Sequence, residues 1–301
     1  MGLPAALAQV ELPSGVRLES DSNSMVRLAI ETPLVSGHLY LHGAHVTRFQ
    51  PAGHAPVLFM SGRSQWARHK PIRGGIPLCL PWFGANPADP AAPMHGIARL
   101  TEWSLVSVSA NESGEIVATL TMDSASGSPY ACPQPFRAVF TAVFGSSLSV
   151  SLMIENTGTQ PMPVSEALHT YLQVSDVRNV AIRGLAGRAF FDRLDDARTK
   201  VESDVPITIT GETDRVYLDT ADDIAVTDPG LGRKITVAKA GSASTVVWNP
   251  WIAKAAAMAD FGDDEWPGML CIETANALAN SYQLAPGATH VIGTTLACEP
   301  L

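Results

Sequence analysis

Residues 66–103, WARHKPIRGGIPLCLPWFGANPADPAAPMHGIARLTEW, bring Arg73, Arg99, His95 and the aromatic pair Trp82 and Phe83 into one stretch of chain. A guanidinium offers forked donors that match a phosphate or carboxylate bidentately, so two or three placed arginines suffice for one small anion. Arg73 is followed by Gly74 and Gly75, which can turn tightly and could add backbone N–H donors in an anion-binding nest. Pro77 and Pro81 bracket an apolar run and cannot donate to a sheet ladder. Trp82, Phe83, Trp248 and Trp251 could stack on the apolar face of a sugar or simply fill a core. The competing account makes this stretch an excursion at a sheet edge, with Arg73 and Arg99 as surface charges, and residue types alone leave both open.

Other polar clusters point away from metal and nucleotide chemistry. In GHLYLHGAH a strand would put His38 and His42 on one face and His45 on the other, with no acidic partner among them and no H-E-x-x-H. Asp263, Asp264 and Glu265 lack the spacing of a calcium loop and read as solvated. A Walker loop is absent. Cys79, Cys132, Cys271 and Cys298 form no C-x-x-C pair, which favours buried reduced thiols over disulfides or structural zinc.

The elements that must carry these residues are strands. VRLAIE (26–31), ATLTM (118–122), RAVFTAVF (137–144), SLSVSLMIEN (147–156), DIAVT (223–227), KITVAK (234–239) and STVVWN (244–249) alternate apolar and polar side chains and are rich in Val, Ile and Thr. Glycine-containing turns separate them, and Phe144-Gly-Ser-Ser-Leu148 reads as a hairpin. Only IAKAAAMAD (252–260) has helical character. This pattern predicts an all-β fold, a large antiparallel β-sandwich with few short helices. With no linker or repeat along 301 residues, a single domain over residues 1–301 is expected. Hydrophobic residues at 46% exclude intrinsic disorder, and no apolar run reaches membrane-spanning length. The start MGLPAALAQVELPSG lacks a basic, apolar leader, and Gly2 is not joined by a second lipidation signal. A cytoplasmic protein, without a membrane partner, is therefore expected. Net charge −9 without a basic run argues against nucleic acid as a partner, and no heptad seam argues for an oligomer, so a monomer is expected.

R-G-G-I-P-L-C-L-P-W-F-G (73–84) followed by H-G-I-A-R (95–99) resembles the hexose-6-phosphate mutarotases, or glucose-6-phosphate 1-epimerases, of the aldose 1-epimerase superfamily. S-E-A-L-H-T-Y-L (165–172), G-E-T-D-R-V-Y (211–217), and V-V-W-N-P-W (246–251) with C-I-E-T-A-N (271–276) match the same family in the same order, and the resemblance spans about residues 25–297. It implies a galactose mutarotase-like β-sandwich, an isomerase with His169 as general acid and Glu273 as general base. It further implies substrate contacts from Arg73, Arg99, Asp214 and His95. One departure stands out: relatives often carry Gln before the His-Gly pair, and here Met94 stands there, whose thioether donates no hydrogen bond.

The implied reaction interconverts α and β anomers of an aldose by opening and reclosing the hemiacetal ring. A base takes the C1 hydroxyl proton while an acid protonates the ring oxygen, work that His and Glu can do near neutral pH. No metal or cofactor is expected, and the substrate would be a hexose 6-phosphate. Two alternatives are a 1-epimerase of free hexoses and a non-catalytic sugar-phosphate-binding protein. On residue types alone, His169 would sooner be a structural histidine and Glu273 a strand-end carboxylate facing water.

Overall fold

The computed structural model describes residues 7–125, 132, 134–196 and 198–301; Gly2 lies outside the described residues. Alternation in sequence becomes alternate burial in space. In Phe136–Phe144 and Leu148–Asn156 every second side chain is buried, and the two strands pair antiparallel with Phe144 opposite Leu148, closing the expected hairpin. They lie in an eight-stranded antiparallel sheet ordered Ala181–Arg183, Ile224–Asp228, Arg233–Ala240, Thr289–Pro300, Leu148–Asn156, Phe136–Phe144, Ile116–Asp123, Ser104–Ala110.

A second sheet of eight antiparallel strands carries the site. Its order is Arg198–Val201, Ala189–Asp192, Thr213–Leu218, Ser244–Asn249, Met269–Asn276, Glu166–Leu168, Leu78–Cys79, with Tyr171–Gln173 also pairing to Met269–Asn276. Four strands between Val16 and Pro51 form a further antiparallel sheet. A continuous apolar cluster joins these layers, with Phe49, Trp103, Phe136, Phe140 and Phe144 fully buried in it. Burying a side chain of that size is worth about 1.5–3 kcal/mol. The four-stranded sheet lies so close that a Cβ at Gly37 would stand 2.7 Å from the Phe144 ring. The antiparallel β-sandwich expected from the pattern is what forms.

Several expectations are corrected. The helix runs Trp251–Ala257, ending before Asp260, because the chain turns there to bury Phe261 against Phe59 and to aim Asp260 at Arg73. Cys79 and Cys271 are buried free thiols, but Cys132 and Cys298 are only partly covered. The strand Val35–Tyr40 ends before His42, so alternation does not reach it; His42 and His45 are both buried and donate to the carbonyls of Lys70 and Gly74. Asp263 and Asp264 are solvated as expected, whereas Glu265 accepts from the N–H groups of Gly62 and Gly262 and so ties two loops. Among the described residues no helix is long and apolar enough to cross a membrane.

Candidate active site

Register places the site. Tyr171 lies opposite Cys271, Cys271 opposite Trp248, and Trp248 opposite Asp214, while the Arg193 N–H continues to the Asp214 carbonyl. Directly opposed residues share a face, so these five side chains form one row across the sheet. Two residues along the central strand, Glu273 projects from the same face, opposite Val246. All of Met269–Asn276 is buried, since the core covers one face and Cys79 and Phe83 help cover the other. Glu273 is therefore not a strand-end carboxylate in water: it is 1% exposed.

The glycines of the R-G-G and H-G motifs serve close packing. Gly75 has φ 64° and a Cβ there would lie 2.2 Å from the Val46 carbonyl oxygen; Gly96 has φ 77° and would meet Leu80 O at 2.0 Å. The anion nest anticipated after Arg73 does not form, because the Arg73 N–H donates to Ser64 Oγ and the Gly75 N–H to Phe59 O. These bonds draw the 73–99 segment onto the sheet and deliver its side chains to the row.

His169 follows the strand Glu166–Leu168 and is anchored by its N–H to the Pro77 carbonyl at 3.0 Å. Its ring stacks on Tyr171 (centroids 4.7 Å apart, planes 8° apart) and meets Trp248 and His95 edgewise at 6.1 and 5.7 Å. His169 Nδ1 stands 3.4 Å from Glu273 Oε1. Neither that nitrogen nor Glu273 Oε2 has a hydrogen-bond partner. His95, held at φ 63°, accepts the Gly84 N–H on Nδ1 and packs against Phe83.

The two arginines read from the sequence play unequal parts. Arg73 donates to Asp260 through Nε and Nη2 at 3.2 and 3.0 Å and to the Tyr171 hydroxyl at 2.9 Å. Arg99 is 8% exposed and donates to the Met94 carbonyl, with its Nε unpartnered. The Met94 side chain itself is exposed, so only its backbone serves the site. Asp214 is half-buried, with Arg193 Nε 3.8 Å from its carboxylate. Tyr171, Asp260 and Arg193 were not singled out from the sequence. Tyr171, two residues from His169, could have been found by strand alternation; nothing in the sequence marks Asp260 or Arg193. Of the tryptophans, Trp248 meets the His169 and Tyr171 rings edgewise and Trp251 packs on Trp266.

Burial dominates the electrostatics. It pushes the Glu273 carboxyl well up, with the charge of Asp214 adding and Arg193 and Arg99 opposing. Burial pushes the His169 imidazole well down, assisted by His95, Arg99 and Arg73, and does the same to His95. Asp214 is raised by burial, opposed by Arg193 and Lys254. The carboxyl and the imidazole are thus shifted in opposite senses by the same burial, each toward its uncharged form. His169, Cys271 and Glu273 also bring N, S and O ligand atoms within 4.8 Å of one another, a set that could hold a zinc-like ion.

The antiparallel sandwich thus carries on one sheet a buried His169–Glu273 pair with the charges of Arg73, Arg99 and Arg193 acting on it. The family described as Aldose 1-epimerase matches residues 27–297. The Escherichia coli (strain K12) protein named "Putative glucose-6-phosphate 1-epimerase" is 32% identical over 272 residues, 90% of each chain. A protein of the same name from Cenchrus ciliaris is 35% identical over 257 residues, 83% of this chain and 77% of that one. The crystal structure of a "putative mutarotase" from Salmonella typhimurium superposes with TM-score 0.90 at 27% identity, covering 97% of this chain and 96% of the other. The chain belongs to the aldose 1-epimerase family and is an isomerase.

Proposed function

We propose that the protein is a hexose-6-phosphate mutarotase that interconverts the α and β anomers of glucose 6-phosphate, using no cofactor. The observation that carries this reading is the buried His169–Glu273 pair, 3.4 Å apart, set among Arg73, Arg99 and Arg193. The names of the relatives supply the substrate.

Starting from the form in which the shared proton sits on His169, Glu273 takes the proton of the C1 hydroxyl. The C1–O5 bond breaks as the C1=O bond forms, and O5 receives its proton from His169. After rotation about C1–C2 the carbonyl presents its other face. His169, now neutral, removes the O5 proton; O5 attacks C1, and Glu273 returns a proton to O1. Each turn leaves the pair as it began. Positioned proton transfer of this kind contributes about 10²–10⁴-fold in rate. Asp214 and His95 hold sugar hydroxyls, and Tyr171 stacks the acid in place while its hydroxyl accepts from Arg73.

One observation favours a second reading, turnover of free hexoses: the charge of Arg73 is already answered by Asp260, so a phosphate is not needed to neutralise it. Magnetisation-exchange NMR on equilibrated glucose 6-phosphate and glucose separates the two. Faster α/β exchange on the phosphate ester is expected; acceleration confined to glucose would favour the second reading, and buffer rates on both would remove the mutarotase assignment.

A further inference from the structure

One buried nucleophile beside the acid–base pair has no task in the proton transfers. Cys271 stands two residues before Glu273 on the central strand, so both side chains leave the sheet on one face. Its thiol is fully buried, and among the described residues its one hydrogen-bond partner is Met269 Sδ, at 3.7 Å. Burial pushes the thiol well up, so on its own it stays protonated. Tyr171 lies opposite Cys271 and stacks on His169, which brings the imidazole to the same place.

His169, Cys271 and Glu273 present N, S and O within 4.8 Å of one another, the one such cluster of three among the described residues. Tetrahedral zinc, with bonds of about 2.0–2.2 Å to nitrogen and oxygen, sets those ligands about 3.3–3.5 Å apart. His169 Nδ1 and Glu273 Oε1 already stand 3.4 Å apart. Sulfur, at about 2.3 Å from zinc, needs edges of about 3.6 Å, so the thiol moves by roughly 1 Å. The same atoms lack partners: His169 Nδ1 and Glu273 Oε2 are buried without a hydrogen bond, a cost that a cation removes. Nitrogen and thiolate ligands select zinc-class ions over magnesium and calcium, which take oxygen sets. Three protein ligands leave a fourth position for water, the composition of an open zinc site.

We infer that His169, Cys271 and Glu273 form an inhibitory binding site for a zinc-class divalent cation, which stops anomer exchange by taking the acid and the base as its ligands. The inhibition rests on the mutarotase reading above; the binding site does not. On ligation Cys271 releases its proton to solvent and binds as thiolate, Glu273 binds as carboxylate, and no group is oxidised or reduced. Ion and sugar exclude each other, because a Glu273 carboxylate that holds the metal is not free to take the C1 hydroxyl proton.

The test follows zinc inhibition of glucose 6-phosphate exchange at buffered free metal, and cobalt(II) absorption, in the full chain and in C271A, C271S and C298A. Cys298 Sγ lies 3.4 Å from His54 Nδ1, another cysteine–histidine pair open to a metal, so C298A is the control. Expected for the unsubstituted protein are a raised KM, reversal by a chelator, and a thiolate-to-cobalt charge-transfer band in the near ultraviolet. In C271A and C271S the zinc concentration for half inhibition rises by more than about 10-fold, since even the loss of an outer partner of a ligand costs about 10–100-fold. The band disappears in both, while C298A keeps band and inhibition. A missing band in the unsubstituted protein, which needs no variant to fold, would overturn the site. So would loss of the band in C298A in place of C271A, or unchanged inhibition in C271A and C271S. A band lost in C271A from a protein that shows no anomer exchange supports the site and removes the mutarotase reading instead. A band with exchange undisturbed by zinc overturns the inhibition.

Discussion

Two histidine–glutamate pairs each draw on the site sheet, one within it and one reaching to the strand Thr289–Pro300 of the other sheet, and they are built to opposite ends. His169 Nδ1 and Glu273 Oε1 stand 3.4 Å apart, and His290 Nε2 and Glu166 Oε1 stand 3.2 Å apart. Glu166 begins the short strand that leads to His169, and its partner across the sheet, Asn276, lies three residues beyond Glu273. Glu166 Oε1 also accepts from Asn276 Nδ2 and the Tyr282 hydroxyl, both at 3.0 Å. The hydrogen bond to Glu166 raises the pKa of His290, against opposition from burial, whereas burial lowers that of His169. One pair is supplied with donors and clamps the site sheet to the strand Thr289–Pro300. The other lacks them, with His169 Nδ1 and Glu273 Oε2 both unpartnered. Donor supply, more than residue type or distance, separates the clamp from the candidate catalyst.

The contrast can be broken most severely at Glu273. E273Q keeps the shape and removes the base, so anomer exchange measured by NMR falls by about 10²–10⁴-fold with the circular dichroism spectrum retained. At Glu166 the expected loss is one of stability. E166A leaves the Asn276 amide, the Tyr282 hydroxyl and His290 without their acceptor, and removing one member of a buried ion pair costs about 3–5 kcal/mol, read as a lowered midpoint in urea.

Smaller effects sharpen the comparison through pH. The mutarotation rate follows a bell in pH: acid protonates His169 against its lowered pKa, and alkali strips the carboxyl of Glu273 against its raised one. A single-limbed profile would mean that the two do not act together. Stability carries signs as well. The pKa of His290 is raised on folding, so its contribution is full below the unfolded histidine value near 6.5 and is lost as pH rises through the folded value; H290N should flatten that slope in thermal melts between pH 5 and 8. The carboxyl of Glu273 is also raised, so its burial weakens the fold progressively above the ordinary glutamate range. E273Q should therefore melt higher than the unsubstituted protein, by more at pH 8 than at pH 5, while E166A melts lower at both.

Much of this was legible before folding was considered. Residues 136–156 announce a hairpin because alternation and a Gly-Ser turn are local properties. Arg73, His95, Arg99, His169, Asp214 and Glu273 were all named from motifs, and the structure sets His169 3.4 Å from Glu273 and packs its ring edgewise on His95. What they do there was harder to read. The bond from Arg73 to Asp260 spans 187 residues of chain and that to Tyr171 spans 98, separations over which no periodicity extends. Arg193 comes beside Asp214 only because the strand Ala189–Asp192, which it follows, pairs with Thr213–Leu218.

The amino-acid sequence by itself determined the strand content, the antiparallel class and the chemistry-bearing residue types, because side-chain period and turn preference act within a few residues. Tertiary structure alone decided that Glu166 Oε1 receives donors from Asn276 and Tyr282 while Glu273 Oε2 receives none, and that Arg73 is answered by Asp260. Those outcomes depend on the desolvation and hydrogen bonding created when distant strands meet.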